Sequence, residues 1–153
     1  MIDLYRDFID WLVDQYRDNT ALICKKQPGI TYGELNGACN ALAAGLHGLG
    51  MSKGDTIAVC LGNSYHTRQM FWTAAKGGFV VALINTRLSP REAAYIINDS
   101  SAEALVTSRA LGNVAAALPP RISNPESVNR TAGASFAESR ALNVRSELSM
   151  VTL

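Results

Sequence analysis

The sequence predicts an α/β fold: a partial doubly wound, mainly parallel sheet with flanking helices, preceded by an N-terminal helix and a short hairpin. Three observations carry this. Between Thr56 and Thr107, apolar runs short enough for strands alternate with stretches of helical periodicity. The run Phe79-Val80-Val81-Ala82-Leu83-Ile84 has no polar alternation, as expected of a strand covered on both faces. Strand, helix and strand then follow one another in units that form parallel sheets with right-handed crossovers.

In chain order, Leu4, Phe8, Ile9, Leu12, Val13 and Tyr16 recur at helical spacing, with Asp3, Arg6, Asp7, Asp14 and Arg17 on the other side, which predicts an amphipathic helix. Ala21-Leu22-Ile23-Cys24 and Ile30-Thr31-Tyr32 flank Lys25-Lys26-Gln27-Pro28-Gly29. Its Pro-Gly pair suits the turn of a hairpin, because Pro fixes φ and Gly accepts positive φ. Thr31-Tyr32-Gly33-Glu34 has the form of a capping box, in which a hydroxyl and a carboxylate satisfy orphan backbone donors. Leu35, Ala38, Leu42, Leu46 and Leu49 share one face of the helix it starts, and Gly50 is placed to end it in left-handed geometry.

Thr56 to Leu61 reads as a buried strand. A helix over Ser64 to Lys76 presents Met70, Phe71, Ala74 and Ala75 to the sheet and closes at Gly77-Gly78. Ser89-Pro90-Arg91-Glu92 is a second capping box, with Pro at the first helical position, where its missing N–H costs nothing. The helix runs to about Asn98, and Ala104-Leu105-Val106-Thr107 supplies another strand. From Leu118 the character changes. Pro119-Pro120, Asn124-Pro125 and six serines between Ser123 and Ser149 mark a loop-rich stretch, with weak apolar periodicity in Ala134 to Val144.

With 153 residues, 48% of them hydrophobic, the chain is long enough for one domain with a sizeable core. Its 14 basic and 13 acidic residues are interspersed and give a net charge of +1, so no broad field for nucleic acid or anionic lipid follows. Cys24, Cys39 and Cys60 form no CxxC pair and lie in apolar segments, which predicts reduced core thiols. The N-terminus lacks the basic head and apolar run of a signal peptide, and no run spans a bilayer. A cytoplasmic location is the expectation, and the sequons Asn98-Asp99-Ser100 and Asn129-Arg130-Thr131 read as chance matches.

Four stretches stand in a telling order: Ile30-Thr31-Tyr32-Gly33-Glu34-Leu35, Gly54-Asp55-Thr56-Ile57-Ala58-Val59, Ala74-Ala75-Lys76-Gly77-Gly78 and Ile84-Asn85-Thr86-Arg87-Leu88. With the segment Ser89 to Ser100 that follows, they resemble the N-terminal part of the acyl-CoA synthetase branch of the adenylate-forming (AMP-dependent synthetase and ligase) superfamily. Asn85-Thr86-Arg87-Leu88 favours an acyl- or aryl-CoA ligase over the amino-acid-activating domains of peptide synthetases, which tend to carry proline and aspartate there.

The resemblance implies an α/β enzyme that binds ATP and a carboxylic acid, forms an acyl-adenylate with release of pyrophosphate, and passes the acyl group to coenzyme A. A fatty acid is the expected substrate, with an aromatic acid as the alternative. That chemistry needs a Ser/Thr/Gly-rich loop with a lysine to cradle the triphosphate, magnesium to bridge phosphates, and a lysine from a C-terminal domain. None of these parts is found in the sequence, and Ala75-Lys76-Gly77-Gly78 reads as a helix end. Ser146 to Leu153 resembles the strand that runs into the phosphate loop.

Residues 1–117 are therefore expected to be the N-terminal portion of the AMP-binding domain, and residues 118–153 a loop-rich tail ending just before the missing phosphate loop. The expected function is that of a truncated ATP-dependent acyl-CoA synthetase, inactive alone. The alternatives are a split-ligase subunit, with a separate chain supplying the rest, or a non-catalytic α/β protein-interaction module. No residue is assigned a catalytic, cofactor-binding or metal role. The chain alone is expected to hold no cofactor, ATP, Mg and CoA belonging to the full-length family. Exposed apolar surface, marginal stability and self-association are expected.

Other constellations carry blander readings. His47 and His66 lack Cys or carboxylate neighbours at ligand spacing and read as surface or helix-end residues. Gly45-Leu46-His47-Gly48-Leu49-Gly50 lies at a helix end without a preceding strand, so it is no dinucleotide fingerprint. Gly133-Ala134-Ser135-Phe136-Ala137 lacks the last glycine of a nucleophile elbow. Arg87, just beyond a strand, is read as fixing its loop. Trp11, Phe71, Trp72 and Tyr95 read as packing residues rather than a base-stacking platform.

Overall fold

The computed structural model describes residues 4–24, 29–108 and 148–152. The first helix, α1, is Leu4–Tyr16, and a two-stranded antiparallel hairpin of β1 (Thr20–Leu22) and β2 (Ile30–Thr31) follows, with a register shift between Thr20 and Leu22. Helix α2, Tyr32–Gly48, starts at the predicted capping box. The Thr31 hydroxyl accepts the Glu34 N–H at 3.2 Å, and the Glu34 carboxylate accepts the Thr31 N–H at 2.9 Å. After Leu49 the chain turns at Gly50 with φ of 97°, a left-handed conformation that glycine adopts without a Cβ penalty.

Strand β3 (Thr56–Cys60) leads to helix α3 (Tyr65–Gly77), and strand β4 (Val80–Leu83) leads to helix α4 (Pro90–Asp99) and strand β5 (Ala104–Ser108). Helix α3 ends on Gly78 in the left-handed region, where a Cβ would stand 2.7 Å from the Lys53 side chain. Helix α4 opens with the second capping box, the Glu92 carboxylate accepting the Ser89 N–H at 2.8 Å, and with Pro90 in its first turn. Strand β6 (Leu148–Thr152) completes a four-stranded sheet in the order β4-β3-β5-β6.

Strand β3 is parallel to β4 and to β5, while β6 runs antiparallel to β5. The sheet is thus mainly parallel, as the sequence predicts. The step from β3 to β4 goes one way along the sheet and the step from β4 to β5 goes back across β3, which with right-handed crossovers puts α3 and α4 on opposite faces. Alternate side chains of the central strands feed two cores. Ile57, Val59 and Val106 pack with Leu46, Met70 and Phe79 on one face, and Ala58, Cys60 and Leu105 pack with Ile84, Ala93 and Ile97 on the other. A third cluster, Ile30, Leu35, Cys39 and Tyr65, seats the hairpin on α2 and α3.

Several expectations are corrected. The apolar run at β4 is not covered on both faces: β4 lies at the sheet edge, with Val80 52% and Leu83 56% exposed. Its composition suits burial, but β3 is its only strand neighbour among the described residues. The apolar stripe of α1 is likewise only half used. Ile9 and Val13 are buried, whereas Phe8 and Tyr16 are exposed, and so is Trp11, read as a packing residue. Tyr95 and Phe71 are also exposed rather than packed inside. Cys39 and Cys60 are core residues, but Cys24 is half-buried, two residues past the end of β1 in the outlying hairpin. The weak periodicity over Ala134 to Val144 lies outside the described residues.

Candidate functional site

In open parallel sheets, ligands gather beyond the carboxyl ends of the strands, where loops enter helices. Here β3 runs through Leu61-Gly62-Asn63-Ser64 into α3, and β4 runs through Ile84 to Ser89 into α4. Between these two connections lies a crevice of about 470 Å³, whose polar lining comes from Asn63, Thr67, Arg68, Asn85 and Thr86. Phe71 and Leu83 form its apolar side.

Local hydrogen bonds fix both loops. The Thr67 hydroxyl donates to the Gly62 carbonyl at 2.6 Å, tying the first turn of α3 to the end of β3. The Asn85 side-chain oxygen accepts the Arg87 N–H at 2.9 Å, and the Leu88 N–H reaches the Asn85 carbonyl at 3.2 Å. This Asx turn holds the loop through the backbone. Arg87 is exposed on that loop and does not line the crevice. Arg68 does, and it also borders a second hollow of about 450 Å³ formed with Ile23, Cys24 and Tyr65. Sequence reasoning did not single out Arg68. The available signal was that it stands in the first turn of a helix that follows a buried strand.

Helix starts differ in a way that bears on ligands. Thr31 and Ser89 fill the first turns of α2 and α4 with their own side chains, whereas Ser64 makes no such bond on α3. The crevice therefore offers hydrogen-bond donors and one guanidinium. Among the described residues its lining holds no carboxylate, histidine or cysteine, and the side chains present are suited to binding.

Buried ionisable groups elsewhere are held neutral. Burial pushes the Cys39 thiol up to about 11, against opposing effects of Thr73 and the Lys76 charge. Burial also raises Cys60, and it raises Tyr65 together with the nearby Cys39, Glu34 and Cys24. A thiol so raised is a poor nucleophile near neutral pH. His47 uses its Nδ1 toward the Met51 carbonyl at 2.8 Å and packs its ring 4.8 Å from that of Phe79, a helix-end role. His66 stands beside Tyr65. Among the described residues no group of three His, Cys, Asp or Glu side chains is placed to hold a metal ion.

The strand order and the crevice at the carboxyl ends of β3 and β4 define an open, mainly parallel α/β unit. The sequence pattern of the family described as "AMP-binding enzyme" matches residues 9–150, and the chain belongs to that family. A crotonobetaine/carnitine-CoA ligase of Escherichia coli O17:K52:H18 is 38% identical over 107 residues, which cover 67% of this chain and 21% of that enzyme.

Among solved structures, a fatty acyl CoA synthetase of Mycobacterium tuberculosis superposes with a TM-score of 0.71 at 27% identity, over 79% of this chain and 24% of that one. A benzoate CoA ligase from Burkholderia xenovorans LB400 gives 0.69 at 28% identity, over 74% and 23%. The relatives are CoA ligases, and the chain spans about a fifth of the length of the curated ones it matches.

ATP and magnesium, which such a family implies, can be tested against the residues present. A triphosphate asks for a loop of backbone donors with a lysine, and magnesium asks for oxygen ligands. Gly77-Gly78, next to Lys76, is occupied by helix closure: Cβ positions there meet Phe79 and Lys53, and Lys76 is paired with Asp10 of α1. The described residues do not fit a triphosphate-magnesium site.

Proposed function

We propose that this chain builds the N-terminal α/β portion of an ATP-dependent acyl-CoA synthetase, and that its described residues hold the scaffold while the reacting groups lie elsewhere in the enzyme. The family match over residues 9–150 carries the reading, and the sheet order β4-β3-β5-β6 supports it. The whole enzyme would join a carboxylic acid to AMP with release of pyrophosphate, then pass the acyl group to the thiol of coenzyme A. A fatty acid is the favoured acid and a cytoplasmic location the favoured setting. No described helix is long and apolar enough to cross a membrane. Residues 1–117 would form the N-terminal portion of the AMP-binding domain and 118–153 a loop-rich tail.

Grafting tests this. In a chimera, the chain replaces the aligned stretch of the M. tuberculosis fatty acyl CoA synthetase. ATP-dependent thioester formation with a fatty acid and coenzyme A should appear in the chimera and not with the chain alone. Activity of the unaccompanied chain would refute the scaffold reading, and a folded but inactive chimera would refute the ligase reading. A split ligase, with the remainder on another polypeptide, is the second reading, favoured by the exposed apolar edge of β4.

A further inference from the structure

The outer edge of β4 has a specific hydrogen-bonding state. Val80 donates to the Asp55 carbonyl and Ile84 to the Val59 carbonyl, both at 2.9 Å and both toward the β3 side. Backbone groups of successive strand residues point to opposite sides, so the N–H and C=O groups of Val81 and Leu83 face away from β3. Solvent-exposed edges normally carry a charge, a proline or a bulge that discourages pairing. Val80-Val81-Ala82-Leu83 has none of these, and β3 pairs with it one to one over all four positions.

The same edge borders apolar surface. A groove of about 710 Å³ lies between α1 and α3, lined by Tyr5, Phe8, Ile9, Phe71, Phe79 and Val81. Tyr5 is 77% exposed, and the Phe8 and Trp11 rings stack at 6.0 Å on the surface of α1. Monomers seldom leave so much aromatic surface beside a strand edge that no other described strand pairs with. The relatives suggest the occupant: the match covers only 21% of the ligase, whose other four fifths have the matched portion to pack on in that enzyme.

We infer that the free edge of β4 and the α1/α3 groove form the seam on which the remaining part of an adenylate-forming ligase closes, adding a strand to β4 and apolar side chains to the groove. This rests on the ligase reading for its occupant. The contact is β-augmentation, in which the Val81 and Leu83 backbone groups set the register and the alternate apolar side chains set the fit.

Residue-resolved hydrogen exchange tests it in the full chain and in the chimera with the M. tuberculosis synthetase. Val80 and Ile84 should be protected in both. Val81 and Leu83 should exchange freely in the chain alone and slow by about 100-fold or more in the chimera. Fast exchange at Val81 and Leu83 in a chimera that protects Val80 and Ile84 overturns the seam. Protection of those two amides in the chain alone also overturns it, and sedimentation then tells a second copy from the chain's own residues.

Should the chimera fail to fold, Leu83→Lys in the chain alone decides. The seam predicts weaker hydrophobic-dye binding with an unchanged melting midpoint, and unchanged dye binding or a lowered midpoint refutes it. A protected edge in an inactive chimera would sink the ligase reading and not the seam, so the two failures are distinguishable.

Discussion

Strands β3 and β4 are neighbours, parallel and similarly apolar, yet they live in different surroundings. Ile57, Ala58, Val59 and Cys60 are fully buried between α2/α3 and α4, while Val80 and Leu83 at the ends of β4 are more than half exposed. A strand's composition therefore reports the environment for which it is suited, and its place in the sheet decides whether this chain supplies that environment. The two cores are complete around β3 and β5 and incomplete along β4.

The largest expected effect breaks the closed side. Met70 is fully buried on α3 against Ile57 and Val59, so Met70→Ala removes packing and leaves a cavity, for an expected loss of about 2–5 kcal/mol by urea unfolding. A loss below about 1 kcal/mol would mean that this core is loosely packed, and the contrast between the two strands would fail.

Chemical access sharpens the same contrast. With its thiol pushed up to about 11 and no exposed surface, Cys39 should resist alkylation at pH 8, and the half-buried Cys24 should react first. The linkage has a definite sign. The folded pKa lies above the ordinary value of 9.0, so the contribution of Cys39 to stability is present below pH 9.0 and is lost as pH rises toward about 11. Cys39→Ser should change the steepness of alkaline unfolding over that window, and an unchanged alkaline profile would contradict the burial.

Next in size is the cap of α4. Ser89→Ala removes the hydroxyl that accepts the Glu92 N–H and donates to its carboxylate, with an expected loss of about 1 kcal/mol. The Ser89 hydroxyl and backbone N–H hold Glu92 below its ordinary 4.5 in the folded chain. Its contribution is therefore present above about pH 4.5 and fades as pH falls through the lower folded value. An NMR titration of Glu92 should move upward in Ser89→Ala, and an unmoved midpoint would sever the link between cap and charge.

What the sequence made legible follows from how local each cause is. Both capping boxes, the left-handed Gly50, the helix closure at Gly77-Gly78 and the strand-helix alternation depend on residues within a few positions of one another, and all are found. The edge position of β4 was illegible, because Phe79 to Ile84 is equally apolar whether or not a neighbour covers it. The exposed Phe8 and Tyr16 misled for the same reason: helical periodicity names the apolar face of α1 but not what covers it. At the crevice, Arg68 went unnoticed since its proximity to Asn85 and Thr86 arises from the pairing of β3 with β4, a contact no local pattern encodes.

The smallest expected effect is the most discriminating for the comparison. Leu83→Ala truncates a large apolar side chain on β4, and by residue type alone it should cost as much as a core substitution. Because more than half of Leu83 is exposed, little transfer free energy is at stake, and the expected change in unfolding free energy is within about 0.5 kcal/mol. Val59→Ala at the paired position on β3 should cost several times more, since Val59 is fully buried. Equal losses at these two partners would show that β4 is covered in solution. A near-zero loss at Leu83 beside a clear one at Val59 would establish that the sheet is covered at β3 and open at β4.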